Sequence, residues 1–241
     1  MRILLLSAAA LAAGLWLGSA AGAVDAGPGF DCRKASAPDE KVICGDPLLS
    51  RVDRMINAGY LTFEPAYDQS KQQIAAALLA DRRSCGADRP CVAAAMYSML
   101  STYGAVPPWI YDYAQALLGF KAAELNAKAP KGANQPMPEQ IGQCAVTTIE
   151  ELATRFGEPL DTAEAGAGTS VTFANGGYQV DYSTNDAIYA SEVGQRVVIC
   201  LMQIPRDCPT GDDRGRLYLT YNAVTQRNWA LSDSQHMCGG A

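Results

Sequence analysis

Arg196-Val197-Val198-Ile199-Cys200-Leu201-Met202-Gln203-Ile204 is a nearly continuous apolar run, with no polar residue from Val197 to Met202. A strand with one wet face would alternate, so this stretch predicts a strand covered on both sides. Working outward, the flanking sequence keeps the same character. Leu217, Leu219 and Tyr221 alternate downstream, and Trp229 and Leu231 close the series. Upstream, Val171 and Phe173 alternate with threonine, Asn175-Gly176-Gly177 supplies a turn, and Tyr178, Val180 and Tyr182 alternate with Gln179 and Asp181. That pattern is a hairpin with Gln179 and Asp181 on its polar side. Further upstream, Thr147-Thr148-Ile149-Glu150 has capping-box form and predicts a short helix, ended by Gly157 and Pro159.

The first half has another period. Ser36 with Asp39 makes a capping-box-like start, Pro38 being tolerated in the first turn. Asp46-Pro47 makes a second start, followed by an apolar stripe of Leu49, Val52, Ile56 and Tyr60. Asp53 falls inside that stripe, about 40° from Leu49 around the helix axis. A carboxylate there needs a partner, because an isolated buried charge is expensive; the natural partner is Arg82 or Arg83, with Arg82 taken as the structural ion pair. Another helix runs from about Asp68 to Ser84. A tight connection at Cys85–Cys91 leads to a helix from Val92 to about Tyr103, stopped by Pro107-Pro108. Trp109 to Leu125 reads as one further helix, with Ile110, Tyr113, Ala114, Leu117, Leu118 and Phe120 on its apolar side. Residues 127–140, with three prolines and little apolar content, read as a linker. The expected class is α+β: an N-terminal disulfide-stapled helical domain at 29–126, then a small β-rich domain at 141–241.

Composition bounds the function. The 241 residues carry 25 acidic and 19 basic side chains, a formal charge of −6, which argues against a protein that neutralises nucleic-acid phosphates. At 49% apolar content the chain can bury a substantial core. Residues 1–23 have the form of a secretory signal peptide. Met1-Arg2 is a positive start, Ile3 to Gly18 is uncharged, and Ala21-Gly22-Ala23 is a small-x-small cleavage site. The expected location is periplasmic or secreted, with no membrane span after cleavage near Ala23. Eight cysteines follow, Cys32, Cys44, Cys85, Cys91, Cys144, Cys200, Cys208 and Cys238. An even number in an exported chain reads as a disulfide set. The short separations of Cys32 from Cys44 and Cys85 from Cys91 favour local bridges, while the second half stays open. No C-x-x-C spacing occurs and the chain has one histidine, so neither metal nor cofactor is expected.

The residues of the first half carry a resemblance. Phe30-Asp31-Cys32, the run Ala35 to Cys44 with its Glu40-Lys41-Val42-Ile43-Cys44 core, Asp46-Pro47-Leu48-Leu49, Asp53-Arg54, Tyr60, and Arg82 with Cys85 and Cys91 are similar to the LprI family. That family is the lysozyme-inhibitor N-terminal domain of exported bacterial proteins, and the similarity covers about residues 29–104. It implies a small disulfide-stapled helical domain and, as function, inhibition of lysozyme. After the last cysteine the family carries a tyrosine and an arginine where this chain has Met96 and Met99.

Chemistry outside that segment is sparse. A histidine-dependent hydrolase would need His236, near Ser232, Asp233 and Ser234, but closeness in sequence is no evidence for a triad, and no G-x-S-x-G occurs. The loop Asp207 to Asp213 is acidic yet lacks the register of a calcium loop. The expectation is a non-enzymatic exported binding protein with a protein partner, a basic lysozyme in the form the resemblance implies. The other reading is a structural or accessory envelope protein that docks another exported protein.

Overall fold

The computed structural model describes residues 27–66, 69–107, 114–119, 122–128, 132–162, 164 and 166–240. The signal segment 1–23, the helix start at Asp68, and Pro108 to Tyr113 with Phe120 lie outside the described residues. Helices come first and a closed antiparallel barrel follows, so the fold is mixed α+β.

Helix starts follow from local chemistry. In α1 (Pro38–Gly45) it is Glu40 that reaches back, its carboxylate accepting the N–H groups of Ser36 at 2.9 Å and Ala37 at 3.1 Å. Ser36 is therefore not the cap, and Asp39 turns inward instead, fully buried on the same face as Ile43. Asp46 caps α2 (Pro47–Thr62), accepting from the amides of Leu48 and Leu49, and the Leu49, Val52, Ile56 stripe is buried. Ser70 caps α3 (Lys71–Ser84) through the Gln73 amide. In α4 (Arg89–Thr102), every residue from Val92 to Leu100 is buried. A helix apolar all round needs cover all round. Here α1, α2 and α3 contact it along with a strand of the barrel. The single helix expected through Leu125 is instead two pieces, α5 (Ala114–Leu118) and α6 (Ala122–Lys128). Gly119, at φ +77°, breaks it by taking the left-handed conformation that ends helices.

The barrel comprises β1 (Cys144–Ala153), β2 (Thr169–Phe173), β3 (Tyr178–Asp181), β4 (Arg196–Gln203), β5 (Leu217–Asn222) and β6 (Arg227–Ser232), with a one-turn helix α7 (Asp186–Tyr189) between β3 and β4. Closure runs β1-β2-β3-β6-β5-β4, so β4 pairs with β1 and β5. The short helix expected at Thr147–Glu150 is thereby overturned: these residues lie within β1, where ladders to β2 and β4 on either side outweigh a local capping signal. Inside the barrel, Ala145, Ile149, Val171, Phe173, Val197, Ile199, Leu201, Tyr218 and Trp229 form one cluster. On the outside, Val146, Val198, Cys200, Met202 and Leu219 join the core of the helical layer. The two faces of β4 are therefore both covered.

Gln179 reverses the expected polarity of the hairpin. It is completely buried, and its amide is fully used: Nε2 donates to the carbonyls of Tyr218 (2.7 Å) and Leu231 (3.0 Å), while Oε1 accepts from Thr220 Oγ1 (2.6 Å) and Trp229 Nε1 (2.9 Å). Four bonds offset the cost of taking an amide out of water.

The segment read as a linker is tied down where it is described. Gln135 exchanges bonds with Val146, its N–H donating to that carbonyl and its Oε1 accepting from that amide, and Asn175 Nδ2 donates to the Gln135 carbonyl. Layer and barrel also share contacts. Ser98 Oγ donates to the Met202 carbonyl at 3.1 Å, Arg206 pairs with Asp81, and Gly142 (φ +86°) lies so close to α4 that a Cβ there would be 2.6 Å from the Cys91 nitrogen. All eight cysteines are bonded, Cys32–Cys44, Cys85–Cys91, Cys144–Cys200 and Cys208–Cys238. Four disulfides fit an extracytoplasmic protein. No helix among the described residues is long and apolar enough to cross a membrane.

Candidate functional site

A cavity of about 310 Å³ opens in the helical layer, lined by α2, α3, α4, Glu40 of α1 and the chain that precedes α1. Two of its lining residues, Arg82 and Asp53, belong to a buried ion cluster that also includes Asp39. Arg82 donates from Nε to Asp39 Oδ2 at 2.8 Å and from Nη1 to Asp53 Oδ1 at 3.4 Å; the three side chains are 7%, 0% and 5% exposed. Asp39 is the residue that sequence reasoning missed. Its spacing of four from buried Ile43, on a short amphipathic helix, was the available signal.

The other oxygen of Asp53 holds the lip of the cavity. Oδ2 accepts from the Gly29 amide at 2.9 Å and from Asn57 Nδ2 at 3.2 Å, while Arg54 donates to the Gly27 carbonyl. Residues 27–30 are thus strapped across α2. A Cβ at position 29 would sit 1.9 Å from Asn57 Nδ2, so a larger residue there displaces the Asn57 side chain that also bonds Asp53. The opposite wall is aromatic: Tyr60 and Tyr103 meet edge to face, ring centroids 5.7 Å apart. Lys71 Nζ lies 4.9 Å from the centroid of the Tyr60 ring.

Electrostatics follow from this packing. Burial pushes the Asp53 carboxyl above its ordinary range, against the Gly29 amide, the Arg82 guanidinium, Asn57 and Arg54, which all pull it down. Burial also raises the Tyr103 phenol, with Tyr60 adding to it. At the rim Glu40 is held low by the backbone amides of Ala37 and Ser36. One guanidinium thus serves two buried carboxylates, and among the described residues Asp39 Oδ1 has no hydrogen-bond partner. Asp53 is shared between that guanidinium, the Gly29 amide and Asn57, so the cluster ties α1, α2, α3 and the chain before α1 together.

The remaining candidates lie elsewhere. His236 is exposed, and its carbonyl accepts from Ser234 Oγ. Asp233 turns its carboxylate to the amides of Gly215 (2.7 Å) and Arg216 (3.0 Å); burial raises its carboxyl and those amides lower it. In the acidic loop, Asp212 grips Arg214 and the Gly239 amide, and Asp213 pairs with Arg216. Arg214 and those amides hold Asp212 far below the usual carboxylate range. Among the described residues no three His, Cys, Asp or Glu side chains are grouped to hold a metal ion. Comparison with protein-family models, with curated proteins and with solved structures finds no match for this chain.

Proposed function

We propose that this chain is an exported, non-enzymatic binding protein whose helical layer docks a basic protein of the lysozyme kind. The observation that carries the reading is the cavity: every residue lining it falls between Gly29 and Tyr103, inside the stretch that resembles the LprI family. The whole chain carries −6, so a basic partner is steered toward it. The test is a lysozyme turnover assay with the oxidised protein at low and moderate salt, alongside size-exclusion chromatography of the mixture. Inhibition and a complex that both weaken with salt are expected. Neither at either salt overturns the reading.

A second reading, an accessory envelope protein that docks another exported protein, is favoured by a patch on the barrel. Arg155 lies between Phe156 and Tyr182, 4.2 and 4.8 Å from the ring centroids, and these rings are 62% and 51% exposed. Arginine flanked by exposed aromatics is the composition of interface anchors. Under this reading, replacing Phe156 and Tyr182 together by serine abolishes partner binding. Under the first reading it leaves lysozyme inhibition unchanged.

A further inference from the structure

We infer that Arg155, with Phe156 and Tyr182 beside it, is a receptor on the barrel for one carboxylate of a partner protein. That the carboxylate comes from another exported protein rests on the second reading above; the site itself does not.

The chain has acids to spare, 25 against 19 basic residues, and Arg89, Arg206, Arg214 and Arg216 each hold an aspartate. Arg155 holds none. Among the described residues it makes no ion pair, and its guanidinium donates no hydrogen bond. Asp181, whose backbone also approaches Gly168, has its carboxylate spent on the Ser183 amide and on Asn185 Nδ2. Glu158, on the turn after Phe156, is exposed and forms no ion pair with Arg155. Instead the guanidinium carbon lies over two rings, 4.2 Å from the Phe156 centroid and 4.8 Å from that of Tyr182. Nε is covered and without a partner, whereas Nη1 and Nη2 are not covered, so the free end of the fork is the end that meets solvent.

Local bonds hold that fork in place. The Arg155 amide donates to the Ala167 carbonyl, the Arg155 carbonyl accepts from Gln235 Nε2 at 3.1 Å, and the Gln235 carbonyl accepts from Tyr182 Oη at 2.8 Å. The arginine stem runs over Gly168, where a Cβ would be 2.8 Å from Arg155 Cδ. A guanidinium with rings against its faces keeps its N–H donors in its own plane, open at the edge, and two parallel donors match the two oxygens of a carboxylate. A phosphate fits worse. Tyr182 Oη is already given to Gln235, so it cannot serve the further oxygens that a phosphate brings. A polyanionic surface is disfavoured by the −6 charge of the chain, which repels it. The rings, 62% and 51% exposed, shed water when a partner covers them, and the ion pair strengthens as its surroundings dry.

The test uses the oxidised full-length mature chain and small probes: sodium 3-phenylpropionate, with 3-phenylpropionamide as its neutral isostere and phenethylammonium chloride as the cationic counterpart. Nuclear magnetic resonance spectra should show saturable shifts at the Arg155 Nε–H and in the Phe156 and Tyr182 rings for the carboxylate only, with an affinity that falls as salt rises. Arg155→Gln should weaken binding about tenfold or more, and Arg155→Lys, which keeps the charge but not the fork, about threefold. No saturable shift, equal binding of the amide or the cation, or unchanged affinity in Arg155→Gln overturns the inference. The amide and cation arms use the wild-type chain, so they decide the matter even where a substitution unfolds it. An envelope fraction passed over immobilised wild-type chain and over the Phe156→Ser, Tyr182→Ser double variant then separates the two proposals. A protein retained by wild type, lost with the double variant, and indifferent to Arg155→Gln and to saturating phenylpropionate sinks this inference and leaves the accessory reading standing. Phenylpropionate binding with no retained protein that depends on the two rings upholds the site and sinks that reading.

Discussion

Replacing Arg82 by methionine would strand two carboxylates in the interior, and the geometry sets the size of the damage. Both bonds of the guanidinium are lost, and the side chains left behind are 0% and 5% exposed, so water replaces little of what Arg82 supplied. Breaking a buried pair in this way costs about 3–5 kcal/mol. Against a total stability of roughly 5–15 kcal/mol, that is a large share. In urea, at a slope of about 2 kcal/mol per molar, the unfolding midpoint at pH 7 should fall by about 1.5–2.5 M. The pH dependence carries the sharper test. Burial holds the folded Asp53 carboxyl above its unfolded value near 3.8, so the folded state binds the proton more tightly. Its contribution is then fully present below the unfolded value and is lost as pH rises through the folded one. Arg82 is among the groups that pull Asp53 down, so removing it widens that window upward. The variant's deficit should be greatest at pH 7 and smaller at pH 5, followed by far-ultraviolet circular dichroism with the disulfides intact. A loss under about 1 kcal/mol at pH 7, or an equal loss at both pH values, would refute the account of the cluster.

Other consequences are quickly checked. Gln179→Leu removes the acceptor of Trp229 Nε1 and Thr220 Oγ1 and the side-chain donor to two carbonyls inside the barrel, and should cost about 3 kcal/mol or more in denaturant unfolding. Gly142→Ala places a Cβ 2.6 Å from the backbone of Cys91 at a φ of +86°, and should destabilise by about 2 kcal/mol or more where Gly45→Ala, which meets nothing within 4 Å, costs far less. Removing Cys144–Cys200, which spans 56 residues, should cost about 4 kcal/mol by loop entropy against about 2 kcal/mol for Cys85–Cys91, which spans 6; thermal unfolding of the two double-alanine variants ranks them. The reverse order would show that native packing, not loop length, sets their worth.

The parts legible in the sequence are those where neighbours in the chain decide the outcome. Asp46 and Pro47 start α2 because the cap and its amides lie within three residues. The Leu49, Val52, Ile56 stripe names its own buried face, and Asp53 within it advertises the need for a counter-ion. The run Val197–Met202 announces a strand with no wet side. Thr147–Glu150 misled because its capping pattern is local while its fate depends on Phe173 and Val197, which pair with β1 from far along the chain. Gln179 misled for a similar reason. Its polarity speaks for solvent, yet Trp229 and Thr220 supply bonds that only barrel closure brings within reach.

Sequence alone determined the mixed α+β class, the even cysteine set and the buried carboxylate of α2, because each depends on periodicity or count. Tertiary structure decided that Arg82 serves Asp39 as well as Asp53, that Gly29 closes a lip over them, and that one face of β4 completes the core of the helices. Those contacts join residues 24 to 104 positions apart, for example Gly29 with Asp53 and Ser98 with Met202. Their energy appears only once the chain has closed the intervening loops, and no local pattern records it.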